Sequence, residues 1–108
     1  MSDATAYMLQ RLTAAILAPL VVIHLGLIVY AIEGGLSASE ILSRTTSGFL
    51  WPVLYTVFVL AVAIHAPLGL RNIIVEWSGH RGPVIDLAAA TFALVLLATG
   101  LRAVMAIT

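Results

Sequence analysis

Two histidines stand inside apolar runs, where an imidazole finds no water to bond. His65 is the one strongly polar residue well inside Phe49 to Leu70, a stretch without a charged side chain. His24 lies inside Leu12 to Ile32, thirteen residues after Arg11. An imidazole at such a depth is costly unless something binds it. Gly69 follows His65 by one helical turn on nearly the same face, and having no side chain it leaves room for a flat group beside the ring. Arg71 and Asn72 come next, where the helix meets the headgroups. The pattern is that of an axial ligand above a slot, with polar groups at the slot's mouth.

The depths separate the two rings. At helical rise His65 is about 9 Å deeper than Arg71, and His24 is about 20 Å beyond Arg11. In antiparallel helices the two imidazoles then differ in depth by about 10 Å. That is too far to share one iron, and it suits two haems stacked across the membrane. The other reading is that each histidine hydrogen-bonds a neighbouring helix. Arg11 and Arg71 flank apolar runs on one membrane face. They either snorkel to the headgroups, or pair with haem propionates and polarise a quinone carbonyl. Thr13 either donates to a quinone or bonds its own backbone. Tyr7, Trp51 and Trp77 fall at interfaces, where aromatic belts are expected without any function. His80 lies in a loop and reads as a solvated residue, and Glu76 has no role assigned to it.

The elements that position these residues follow from composition. The chain has 108 residues, 62% hydrophobic and 9% charged, outside the range of a water-soluble domain. One membrane domain over residues 1–108 is the natural division. The net charge is zero, which gives no sign of nucleic acid. Without cysteine the chain has no disulfide, thiolate metal site or cysteine-held iron–sulfur cluster. Met1 to Gln10 lacks the basic region and small-residue cleavage site of a signal peptide, so the first run is expected to remain as an anchor.

Three stretches can each cross ~30 Å of hydrocarbon. They predict an all-α membrane protein with transmembrane helices over about 9–33, 49–77 and 84–107. Pro19 and Pro67 interrupt the first two, and Pro19 predicts a kink. Gly34 and Gly35 stop the first helix. Ser37 with Glu40 is a capping box, which predicts a short surface helix. Ser78 to Pro83 is a turn-rich loop. Arg11, Arg71 and Arg81 on one side against Arg44 and Arg102 on the other predict a cytoplasmic N-terminus.

The segment His65-x-x-x-Gly69-x-Arg71, with a carboxylate at Glu76, resembles the second-helix pattern of succinate dehydrogenase cytochrome b subunits, in which the histidine is an axial haem b ligand. Leu9-Gln10-Arg11-Leu12-Thr13 followed by His24 is similar to a helix start in the two-haem anchors of succinate:quinone oxidoreductases. There the histidine serves the haem farther from the soluble subunits. The resemblance covers about two helices of three. Asn72 stands where one-haem members commonly carry histidine, Glu76 where they carry aspartate, and Tyr7 and Gln10 where they carry serine and histidine.

The resemblance implies a membrane anchor holding one or two haem b groups shared with a partner subunit, with His65 and His24 as iron ligands. Arg71, Arg11 and Gly69 would line the haem. Arg11, Thr13, Tyr7 and Trp77 would meet a quinone as substrate. Implied partners are a flavoprotein subunit, an iron–sulfur subunit, and a second membrane-anchor subunit or a second copy of this chain, within a bacterial inner membrane. The chain itself would not oxidise succinate. The alternatives are a single-haem anchor using only His65, a fumarate reductase anchor, and a haem-free structural subunit whose histidines tie helices together.

Overall fold

The computed structural model describes residues 2–108. Four helices follow one another, α1 (Asp3–Glu33), α2 (Ala38–Thr45), α3 (Leu50–Ser78) and α4 (Pro83–Ile107). Three of them, α1, α3 and α4, are long and apolar enough to cross a membrane. The protein is therefore an all-α integral membrane protein with three candidate spans. Its envelope is a rod of 48 × 22 × 22 Å, and 31 residues of α1 at helical rise make about 46 Å of that length.

Helix α1 begins at Asp3, nine residues before the apolar run that opens at Leu12. The Ser2 side chain accepts a hydrogen bond from the Thr5 N–H, and Asp3 puts a negative charge in the first turn. Both satisfy the positive end of a helix, so the polar N-terminal segment extends the span. Gly34 caps α1, and Gly35 takes a positive φ of 62°. Helix α2 carries the complete capping box of Ser37 and Glu40. Its Thr45 hydroxyl donates to the Ile107 carbonyl at 2.6 Å, tying α2 to the end of α4. Gly79, at φ 71°, ends α3 in the left-handed conformation.

Helix α3 is the middle of the bundle, with α1 against one side and α4 against the other. Gly100 of α4 brings the α4 backbone close to Val59: a Cβ there would stand 2.6 Å from Cγ1 of the valine. Among the described residues no large side chain is fully buried, and Val22, Ile32 and Leu87 are largely exposed. Such surfaces belong in lipid or against further helices.

Candidate functional site in the seam between α1 and α3

The α3 stripe that meets α1 runs through Tyr55, Phe58, His65, Gly69 and Asn72, spaced three, seven, four and three residues apart. This is helical period, so one face carries them all. On α1 the facing stripe includes Gln10, Thr13, Leu17, Leu20 and His24. Thr13, Leu17 and Leu20 are its buried members.

Thr13 and His65 meet. The Thr13 hydroxyl lies 2.6 Å from the Leu9 carbonyl and 3.2 Å from Nδ1 of His65. Thr13 is 4% exposed, so the contact sits inside the seam. Among the described residues no hydrogen bond reaches Nε2 of His65. One turn along, a Cβ on Gly69 would stand 3.0 Å from Nε2 of Gln10. The space beside the histidine that the missing side chain leaves is thus where Gln10 enters. The end of that side chain is flexible, and its Oε1 is buried without a partner.

His24 is held differently. Its ring packs edge-on against Phe58 at 5.4 Å and Tyr55 at 6.1 Å, and its Nδ1 is buried with no hydrogen-bond partner. A buried polar atom left unmade costs about 1–3 kcal/mol. The two histidines are not brought together. From His65 to Phe58 is seven residues, about 10 Å along α3, and from Thr13 to His24 is eleven, about 16 Å along α1. The separation in depth expected from counting alone, about 10 Å, is the lower of these two measures.

The polar residues fall into separate places. Arg71 donates from Nε to Oδ1 of Asp86 at 2.7 Å, bridging α3 to the first turn of α4. Arg71 also lines several clefts, two of which carry further polar residues. One, of about 360 Å³, lies among α1, α3 and α4 and is lined by Ala6, Pro67, Arg71, Asp86 and Ala90. The other, of about 250 Å³, gathers Tyr7, Gln10, Arg71, Asn72, Glu76 and Arg81 near the N-terminal end of the bundle. Arg11 stays out of both. Its guanidinium lies over the Tyr7 ring at 5.8 Å, and two residues of helix turn it about 160° away from Thr13. Trp77 is 86% exposed. Thr13 stands beside His65 with its hydroxyl engaged by the Leu9 carbonyl, so it has no hydrogen to offer a quinone.

Sequence reasoning passed over Tyr55 and Phe58, although helical spacing from His65 puts them on its face. It also passed over Asp86 as the partner of Arg71. The signal for that pair was opposite charge on either side of one short loop.

A search of curated proteins and a search of solved structures each gave no match. Residues 1–105 match the family model of the succinate dehydrogenase/fumarate reductase transmembrane subunit, and the chain belongs to that family.

Proposed function

We propose that this chain is the cytochrome b anchor of a succinate dehydrogenase, holding haem b together with a partner subunit and forming part of a quinone site. The observation that carries this reading is the pair of half-buried imidazoles in the α1–α3 seam. Each keeps a ring nitrogen that no described protein group satisfies. Histidine ring nitrogens in an apolar, cysteine-free seam are a donor set that fits haem iron. A bound haem b supplies reversible one-electron transfer between an iron–sulfur subunit and a quinone.

The chain's own residues have distinct tasks in this reading. His65 and His24 would hold haem iron through ring nitrogens at two depths. The aromatic rings of Tyr55 and Phe58 and the helix faces around them exclude water. Gly69 keeps the flank of His65 free of a fixed side chain, and the flexible end of Gln10 that now fills it would have to move aside for a haem. Arg71, already paired with Asp86 through one nitrogen, keeps donors for a propionate. Arg11 and Tyr7, stacked on each other near the membrane surface, present a cation and a phenol to a quinone carbonyl, with Trp77 at the same level. The flavoprotein and iron–sulfur subunits dock on the N-terminal, cytoplasmic side of a bacterial inner membrane. This chain would give one imidazole at each depth, and a second anchor subunit or a second copy of the chain would bring the further ligands.

The test is the visible spectrum and haem-to-flavin ratio of the complex extracted in mild detergent. Two haems per complex support the full reading. One haem, lost in His65→Ala and kept in His24→Ala, selects the single-haem anchor. No haem selects the structural subunit, for which the Thr13–His65 contact would be a helix tie.

A further inference from the structure

We infer that Thr13 is a positioning residue that fixes the tautomer of His65, holding the proton on Nδ1 and leaving Nε2 bare for iron. The inference rests on the reading of His65 as an axial ligand. The Thr13 hydroxyl has one hydrogen and faces three acceptor-capable atoms: the Leu9 carbonyl at 2.6 Å, the Gln10 carbonyl at 3.2 Å and Nδ1 of His65 at 3.2 Å. A carbonyl oxygen only accepts. Two oxygens at 2.6 Å with no hydrogen between them would repel, so the hydroxyl hydrogen is committed to Leu9. Toward His65 the hydroxyl oxygen can then only accept, and Nδ1 must carry the proton that it accepts.

A neutral imidazole with its proton on Nδ1 has its lone pair on Nε2, the atom to which no described group makes a hydrogen bond. Burial holds the arrangement, because Thr13 is 4% exposed and no water competes for the hydroxyl. The chain Leu9 C=O, Thr13 O–H, His65 N–H therefore runs one way. An acceptor on the far nitrogen of a ligating histidine orients the ring and raises its basicity. A more basic ligand favours ferric over ferrous iron, so this contact lowers the potential of any haem that His65 holds.

Two measurements test this. The first is the pair of imidazole nitrogen shifts of His65 in the full chain, labelled at histidine, with and without Thr13→Val. The expected result is a proton on Nδ1 in the native chain and in Thr13→Ser, with protonation of Nε2 growing in Thr13→Val. A native His65 protonated on Nε2, or a Thr13→Val chain with unchanged shifts, overturns the inference.

The second is a redox titration of the assembled complex. Thr13→Val is expected to weaken the hold on ferric relative to ferrous iron about tenfold, the lower end for losing such a partner, which is a rise of ~59 mV. Thr13→Ser restores the native potential. A Thr13→Val complex that keeps its haem at the native potential overturns the positioning role. If Thr13→Val fails to take up haem while Thr13→Ser takes it up, the hydroxyl is again shown to be required. A complex that keeps its full haem spectrum in His65→Ala removes the axial-ligand reading instead. The nitrogen shifts would then still report the tautomer, as a helix tie alone.

Discussion

Gly100→Ala puts the packing of α4 on α3 to a quantitative test. The added Cβ would lie 2.6 Å from Cγ1 and 3.0 Å from Cγ2 of Val59. Carbon atoms rest comfortably at about 3.5–4.0 Å, so the two helices must part locally by about 1 Å. Val59 cannot swing aside, since a β-branched side chain in a helix has one strongly preferred rotamer. Overpacking of this kind costs about 1–3 kcal/mol. Alanine is also favoured over glycine inside a helix by about 1 kcal/mol in water, which masks part of the loss in the single mutant. A double-mutant cycle with Val59→Ala removes the mask, because the propensity gain is common to both backgrounds. The assay is unfolding of the chain in mild detergent by a denaturing detergent, followed by circular dichroism. The expected coupling between the two sites is about 1–3 kcal/mol, favourable to the double mutant. Additivity to within about 0.5 kcal/mol would mean that the helices are not in contact there, and the reasoning would fail.

Gly69→Ala behaves differently. Among the described residues an added Cβ would meet the flexible end of Gln10 alone, so stability should change by less than about 1 kcal/mol while haem content of the complex falls; a full haem complement would refute the use of that space. His65→Ala is expected to lose the haem nearer the soluble subunits with subunit assembly intact, read from the visible spectrum of the purified complex. Arg11→Ala should weaken quinone reduction more than haem content, and unchanged turnover would leave Arg11 as a snorkelling residue stacked on Tyr7. Expressed alone, the chain should bind haem poorly, and co-expression with its partner should restore binding. Strong haem binding by the lone chain would show that no outside ligand is needed.

Local chemistry made much of this architecture readable in advance. The capping box at Ser37 and Glu40, the paired glycines after Glu33 and the turn after Trp77 each act within a few residues, and each lies where spacing puts it. The start of α1 was harder to see, because Ser2 and Asp3 extend the helix beyond the apolar run that advertises it. What one sequence does not carry is the register between helices. Counting from the arginines gave an expected separation of His65 and His24 along the helices. Nothing in the count said that Thr13 would lie level with His65, or that Gln10 would fill the place opposite Gly69. Arg11 shows the same limit in rotation. Its distance along the helix was legible, but its direction depends on which side of α1 meets α3.

The three spans are unequally fastened. Helices α3 and α4 are joined by the Arg71–Asp86 ion pair at one end and by the close approach of Gly100 to Val59 farther in, and α2 ties onto the end of α4 through Thr45. Across the seam between α1 and α3, the described side-chain hydrogen bond is Thr13 to His65. With fewer polar ties across it, the seam between α1 and α3 is the one expected to open first, with α3 and α4 staying together. For biogenesis this sets an order of events. The hairpin of α3 and α4 can settle in the bilayer as a finished unit, and the first span then closes on it last.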